Sequence, residues 1–366
     1  MQTLPLRYIP LMPVVGFRIS YLLLGALLFS RPSHAVPYQY FRIGPADIQT
    51  TPTNGLALMG GGTDLDEAFR WLCEKANGGD FLILRARGDD DYNSYVNGLC
   101  KLNSVATLII PDRKAAEDLA VADIIRHAEA VFIAGGDQSN YVRYWSGTRA
   151  QEALNEHITA GKPIGGTSAG LAVLGEFSYA CLKDKPDDPD LASTDVLPNP
   201  FFYRVTLVRN FLKIPLLENT LTDTHFARRD RMGRSLVFLA RIIHDGWSRN
   251  PEEIAVDEKS AVLVEADGKA AVVGSGKGAY FMRPNRAPET CRKNTPLSFT
   301  GISVYNGSTG ARFDLKSWQG TGGTSYSLSV NNGVIHSTAP ANAVYSTLFE
   351  LLPSLRLTSG ADRPSQ

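Results

Sequence analysis

The chain has 366 residues, 37 Lys+Arg against 37 Asp+Glu, and 43% hydrophobic content, enough for one large α/β domain or two smaller ones. Zero formal net charge excludes recognition of nucleic acid or another polyion through an overall field; such specificity would have to be local. The N-terminal stretch carries Arg7 and Arg18, an apolar run over residues 19–29, and Ser33-His34-Ala35 as a small-x-small cleavage site. The run is shorter than the roughly 20 apolar residues of a membrane span, so residues 1–35 are read as a secretory signal peptide rather than an uncleaved anchor. An exported protein, periplasmic or secreted, with no membrane association after cleavage is therefore expected.

Residues 55–59 predict a short buried strand ending in Gly60-Gly61-Gly62, followed by an amphipathic helix over 64–76. Strands over 81–84 and 104–110, a helix over 115–128, a strand over 130–133 and a helix over 149–160 continue the alternation. Such alternation argues a parallel sheet with helices on both faces, and it puts functional loops at the carboxyl ends of the strands. Gly60-Gly61-Gly62, residues 87–92, Gly135-Gly136-Asp137-Gln138 and the segment around Ser168 all fall at such ends. Residues 182–199, rich in Asp, Pro and Lys, read as an irregular excursion able to form a rim or lid. Extended segments over 205–208 and 217–221 and a helix over 232–243 follow. From 255 onward the pattern turns to β, with strands over 261–264, 271–273, 279–282, 302–305 and 326–330. Asp267-Gly268, Asn306-Gly307 and Asn332-Gly333 read as hairpin turns. The expected organisation is a signal over 1–35, an α/β domain over 36–290, and a β-rich C-terminal extension over 291–366 with a mobile tail from 353.

Gly165-Gly166-Thr167-Ser168-Ala169-Gly170 follows a helical stretch and the lead Lys162-Pro163-Ile164. This is the form of a nucleophile elbow, in which small residues let a serine sit on a tight strand-to-helix turn. Ser168 is the candidate nucleophile. Among the histidines, His34 leaves with the signal, His127, His157 and His244 lie in helices, and His336 lies in the extension. His225 follows an extended segment in Asp223-Thr224-His225-Phe226, where an imidazole could take the serine proton and return it to a leaving amine. Glycines at 135 and 136 let backbone N–H groups point into the site, where with the N–H of Ala169 they could form an oxyanion hole; the plain alternative is a Gly-Gly-Asp turn. Arg228, Arg229, Arg231 and Arg234 crowd the positions after His225, and guanidinium forks bind carboxylates, which suggests an acidic substrate; the alternative is a solvated helix start paired with Asp230. Four cysteines form an even set suited to disulfides in an oxidising compartment, Cys73 with Cys100 as the nearer pair and Cys181 with Cys291 as the remainder; small buried hydrophobes are the alternative. Their spacing fits no metal site.

The elbow, the Gly135-Gly136-Asp137-Gln138 turn and above all Asp223-x-His225-Phe226-x-x-Arg229-x-Arg231-x-Gly233-Arg234 resemble cyanophycinase and its relatives among the serine peptidases, peptidase family S51, over residues 55–282. The resemblance implies a class I glutamine-amidotransferase-like, flavodoxin-like α/β fold: a mostly parallel sheet flanked by helices, with a β-rich C-terminal extension. It also implies a homodimer with a Ser-His-acid site and no cofactor or metal. The implied reaction is hydrolysis of cyanophycin, a polyaspartate with arginine linked to its side-chain carboxyls, to β-Asp-Arg dipeptides through an acyl-enzyme.

Carried over position by position, Ser168 is nucleophile, His225 base, and Gly136 and Ala169 oxyanion donors. Gln138, Asp223, Arg229, Arg231 and Arg234 line the substrate pocket, with Asp223 or Gln138 meeting the substrate's guanidinium. Thr224 departs from the family pattern, which commonly has Gln there. For the third member of the triad Asp195 is the first choice and Glu176 the second, while Asp184, Asp187, Asp188 and Asp190 read as solvated loop charges. The expected partner is an acidic or β-aspartyl peptide polymer. Two other readings are an Asp-X or isoaspartyl dipeptidase of the same family and a non-catalytic binding protein on the same scaffold.

Overall fold

Short strands that are buried on both faces build the half of the molecule that carries the elbow. The computed structural model describes residues 37–185 and 187–345; the signal segment with His34, and the tail from 353, lie outside them. In chain order the first part comprises β1 (Gln39–Ile43), β2 (Gly55–Met59), α1 (Asp66–Lys75), β3 (Asp80–Arg85), α2 (Asp91–Leu99), β4 (Ser104–Ile109), α3 (Arg113–Ala116), α4 (Leu119–His127), β5 (Ala130–Ile133), α5 (Gln138–Trp145), α6 (Arg149–Thr159), β6 (Ile164–Thr167) and α7 (Ala169–Ala172). The second comprises β7 (Phe177–Tyr179), α8 (Ser193–Val196), β8 (Leu207–Arg209), a 3-10 turn (Pro215–Leu217), β9 (Thr220–Asp223), α9 (Met232–His244), β10 (Glu252–Val256), β11 (Ser260–Glu265), β12 (Lys269–Gly274) and β13 (Ala279–Pro284). Then come β14 (Phe299–Gly307), β15 (Arg312–Asp314), β16 (Gln319–Thr321), β17 (Thr324–Asn331) and β18 (Val334–Ser337).

The architecture is mixed α/β, with two sheets where the sequence pattern predicts one. The first runs β1-β4-β3-β5-β6-β2-β11-β12-β15-β16, and its β4-β3-β5-β6-β2 core is parallel. The second runs β18-β17-β14-β13-β10-β9-β7-β8, with β9 parallel to both β7 and β10. The strands beyond 291 are therefore shared, β14, β17 and β18 continuing the second sheet and β15 and β16 the first. Carboxyl ends of parallel strands from both sheets meet at one place: Ser168 N–H donates to Met59 O (3.2 Å), His225 N–H to Gly60 O (2.9 Å) and Gly60 N–H to Ser260 O (3.0 Å). Helix α9 is buried almost all round, as expected of an apolar helix packed inside a domain rather than on its surface.

Local chemistry explains where the elements differ from their predicted extents. The helix predicted over 115–128 is two helices, because Asp112 and Asp118 each cap a new N-terminus, accepting from Ala115 and Ala120 N–H. The extended segment predicted over 217–221 begins as the 3-10 turn opened by Pro215, and the strand starts only at Thr220, after the positive-φ Asn219. Asn306-Gly307 is not a turn: both residues lie inside β14, and the buried Asn306 amide donates to Ala279 O (3.2 Å) across the ladder. Helix α2, rich in Asn and Tyr, has little helical signal and is fixed by tertiary bonds, Asn93 donating to Phe41 O (3.0 Å) and accepting from Thr107 Oγ1 (2.8 Å).

Cys73 on α1 is joined to Cys100 after α2 by a disulfide. The other expected pair does not form. Cys181 stands in a loop at φ 51°, Cys291 is buried in the core against the second sheet, and both are thiols. Burial pushes the Cys181 thiol up to about 12 and that of Cys291 up to about 11. Among the described residues no helix is long and apolar enough to cross a membrane, and no group of three or more His, Cys, Asp or Glu side chains could hold a metal ion.

Candidate active site

Ser168 sits between β6 and α7 at φ 51°, ψ −120°, a left-handed conformation for a non-glycine residue and therefore strained. The chain must turn that sharply because strand and helix nearly touch. A Cβ on Gly166 would lie 2.6 Å from the Gly170 backbone, and one on Gly170 would lie 1.9 Å from Ile133 O, so only glycine fits at either flank. His225, just beyond β9, also has positive φ (47°), and its carbonyl accepts from Arg229 N–H (2.9 Å) in a compact turn.

Ser168 Oγ lies 2.7 Å from His225 Nε2, and His225 Nδ1 lies 2.7 Å from Glu258 Oε1. An ionised carboxylate can only accept, so Nδ1 carries the ring proton and Nε2 is left to accept from the serine hydroxyl. Burial, together with the charges of Arg229 and Arg231, holds the His225 imidazolium below its ordinary 6.5, although the Glu258 bond works the other way. Burial alone would raise Glu258, but the His225 bond and the charges of Arg229 and Arg228 bring it net below its ordinary value. The ring is thus neutral at neutral pH and oriented by a charged carboxylate. With a serine-reactive phosphonate as probe, the labelling rate should fall on the acid side with a midpoint below 6.5; Arg229→Ala, by removing a positive charge, should move that midpoint upward. A midpoint that stays put in the variant would refute this account of the shift.

Glu258 is the residue that the sequence reading missed, and both of its choices for the carboxylate are corrected. Asp195 accepts from Ala192 N–H (2.9 Å), capping its own short helix α8, which packs behind α9 through Ser193 Oγ and Gly233 N–H (3.0 Å). Glu176 is taken up by Arg209 (2.8 Å) and Asn219 N–H (2.6 Å) at the edge of the second sheet. Glu258 follows β10, the strand parallel to and next to β9, so histidine and glutamate leave neighbouring strands at the same end. The available signal was the charged Asp257-Glu258-Lys259 turn straight after a buried strand.

The Gly60-Gly61-Gly62 loop packs against all three side chains. A Cβ on Gly61 would lie 2.5 Å from His225 Cε1 and 3.1 Å from Ser168 Cβ, at φ 95°, and one on Gly62 would lie 3.1 Å from Glu258 Cβ. Gly61→Ala is expected to displace the imidazole and lower the phosphonate labelling rate at least about a hundredfold, because misplacement of an ångström costs that much. A variant that labels at the wild-type rate would show that the ring has room to move.

A cavity of about 620 Å³ opens at Ser168 and His225, lined among others by Gly136, Gln138, Ala169, Arg229, Arg231 and Arg234. Gly136 takes φ 146° and Tyr141 Oη donates to Gly135 O (3.2 Å), which points the N–H of the same peptide, that of Gly136, away from Tyr141. Ala169 opens α7 next to the serine. Gln138 donates to Cys181 Sγ (3.0 Å) and Tyr179 O (3.4 Å) on the cavity wall.

Asp223 does not line the cavity. It is fully buried beneath it, its two oxygens taken by the Nε–Nη2 fork of Arg234 (Nε to Oδ2 2.9 Å), with Arg231 Nη1 at 3.4 Å and Thr224 N–H at 2.7 Å. Burial opposes its charge, yet the guanidinium groups of Arg234 and Arg231 keep its carboxyl below the usual range. It therefore anchors the arginines rather than meeting a ligand. Thr224, at the departure from the family pattern, joins the same network through its carbonyl (2.8 Å) and hydroxyl (3.2 Å), both accepting from Arg231. Behind Asp223, Glu253 is buried and accepts from Ser235; burial and the Asp223 charge push its carboxyl well above its ordinary value.

Within the acid-rich excursion Asp184 and Asp190 are held by arginines, while Asp187 is exposed as expected of a loop charge. Asp184 takes a bidentate bond from the buried Arg204 (2.9 and 3.0 Å), which also donates to Pro189 O (2.6 Å), and Asp190 reaches back to Arg229 and Arg231.

A serine on a strand-to-helix elbow, bonded to a histidine that a glutamate orients, at the carboxyl ends of parallel strands, is an arrangement that hydrolases use. The sequence model described as Peptidase family S51 matches residues 65–197, a segment that includes Ser168 and ends before His225. The chain is 28% identical over 262 residues to a cyanophycinase of Synechococcus elongatus, spanning 68% of this chain and 74% of that one. It is 27% identical over 218 residues to a cyanophycinase of Trichormus variabilis, spanning 58% and 65%. Among solved structures, a peptidase from an acI-B1 Actinobacterium is similar with a TM-score of 0.44 and 18% identity, over 62% of this chain and 90% of that one. The resemblance to peptidase family S51 is borne out, and peptidase is the hydrolase class that it supports.

Proposed function

We propose that this protein is an exported serine exopeptidase of cyanophycinase type, hydrolysing cyanophycin to β-Asp-Arg dipeptides through an acyl-enzyme, on a class I glutamine-amidotransferase-like scaffold and as a homodimer. The observation that carries this reading is the Ser168–His225–Glu258 relay, with both links at 2.7 Å, opening onto a cavity whose wall holds Arg229 and Arg231. Ser168 Oγ attacks the scissile carbonyl carbon as its proton passes to His225 Nε2, with the imidazolium steadied by Glu258. The developing oxyanion is held by the N–H groups of Gly136 and Ala169. The C–N bond breaks as Nε2 returns the proton to the leaving amine; water, activated by the same nitrogen, then cleaves the acyl-serine ester and frees the enzyme. Free carboxylates of a β-aspartyl chain would be received by the guanidinium forks. Gln138 remains as a cavity-lining amide for the substrate's own guanidinium, since Asp223 is occupied beneath the floor. Export rests on the pattern of residues 1–35 and the homodimer on the family resemblance.

The test is mass analysis of soluble products after incubation with cyanophycin granules, with Asp-X and isoaspartyl dipeptides in parallel. Release of β-Asp-Arg by the wild type and none by Ser168→Ala is the expected result. Untouched granules with cleaved dipeptides would replace the polymer reading with the dipeptidase one.

A further inference from the structure

Two arginines in the cavity wall are satisfied in different ways. Arg234 has its Nε–Nη2 fork fully engaged by the two oxygens of Asp223. Arg231, also buried, gives its Nε–Nη2 fork only one partner: Nη2 donates to Asp190 Oδ2 (2.9 Å), while the buried Nε has no partner among the described residues. The same Asp190 carboxylate accepts from Arg229 Nη1 (3.1 Å), and its side chain is 45% exposed where that of Arg231 is 7%. A half-exposed carboxylate on the excursion thus holds a buried guanidinium by a single bond, where a free carboxylate could take both donors of the fork. Asp223 accepts from both Arg234 and Arg231, and Asp190 is shared by Arg231 and Arg229, so an arriving carboxylate that leaves Asp190 in place has to share those donors with it.

We propose that Asp190 is a specificity-determining residue, an internal carboxylate that a substrate must displace from Arg229 and Arg231. Once displaced, it faces the cavity as a free anion, ready to pair with a cation carried by the same substrate. A ligand bearing a carboxylate and a nearby guanidinium exchanges one set of ion pairs for another, while a purely anionic ligand leaves Asp190 unpaired beside it and pays for the displacement. The arginine pair therefore selects zwitterionic acidic peptides over simple dicarboxylates. Arg231 and Arg229 hold the Asp190 carboxyl down to about 2 against the opposing effect of burial, so the exchange operates throughout the neutral range. The inference rests on the reading above that these arginines receive the substrate's carboxylate.

The experiment is calorimetric titration in the Ser168→Ala background, which removes turnover, with two probes: succinate, a dicarboxylate without a cation, and β-Asp-Arg, whose two carboxylates are accompanied by a guanidinium and an ammonium. Asp190→Asn is expected to tighten succinate at least about tenfold, the worth of one charge-assisted hydrogen bond, and to tighten β-Asp-Arg less or to weaken it. Asp190→Glu, which restores the carboxylate, should return both affinities toward the parent. Equal effects on both probes, unchanged succinate affinity, or no succinate binding by either protein would overturn the proposal. If wild type fails to release β-Asp-Arg from cyanophycin while the two probes still diverge, the polymer reading falls and the carboxylate exchange stands.

Discussion

Glu258→Gln is expected to lower kcat about a thousand- to ten-thousandfold with the fold intact, and Ser168→Ala to lower it by more, to the level left by the oxyanion donors and binding alone. A glutamine at 258 can offer its N–H to Nδ1, which favours the tautomer with the proton on Nε2, facing Ser168 Oγ, where it cannot accept. Asp195→Ala is the control. It removes an acceptor that caps a short helix, so it should cost about 1 kcal/mol of stability and leave kcat near wild type. Steady-state kinetics on whichever peptide the wild type cleaves, read beside urea denaturation of the three variants, separates the outcomes. Full turnover in Glu258→Gln, or its loss in Asp195→Ala, would return the triad carboxylate to Asp195.

Asp223→Asn is expected to destabilise the protein by about 3–5 kcal/mol, because it leaves the guanidinium groups of Arg231 and Arg234 buried without their shared anion. The size of the effect comes from the uncompensated charges rather than from the intrinsic worth of the ion pair, which buried pairs often fail to provide. The pH dependence has a definite sign. A carboxylate held below its ordinary 3.8 in the fold contributes stability that is complete above that value and is lost as pH falls through the native one. Wild type should therefore lose stability more steeply than Asp223→Asn in strong acid, and the two curves should converge there. A variant within about 1 kcal/mol of wild type at neutral pH would mean that the arginines find other partners. The same substitution should loosen Arg231 and Arg234, both in the cavity wall, so the residual activity should show a raised KM before a lowered kcat.

The candidate site was partly legible in the sequence, and the division follows residue type and distance along the chain. Gly166, Ser168 and Gly170 announced a turn because only small residues permit strand and helix to approach so closely, a constraint local to a few positions. His225 and the arginines stood out as rare or crowded residues after a strand. Glu258 carried no such mark, since acids are common and its role depends on β10 lying beside β9, a pairing between segments with α9 between them. Asp223 looked like a ligand-facing acid by its place in the motif, and Asp190 like a loop charge. Only the packing shows that the first is buried under the second's partners.

By itself, the sequence determined the alternation of strand and helix, the elbow at Ser168, the candidate base at His225 and the disulfide-capable pair Cys73 and Cys100, because each depends on periodicity or on the chemistry of near neighbours. The tertiary structure alone decided that there are two sheets, that Cys181 and Cys291 stay apart, that Glu258 orients the histidine, and which arginine is finished by Asp223 and which is only half held by Asp190. Those depend on long-range register and on burial, where a charge must find its partner in space, and spacing along the chain does not encode who that partner is.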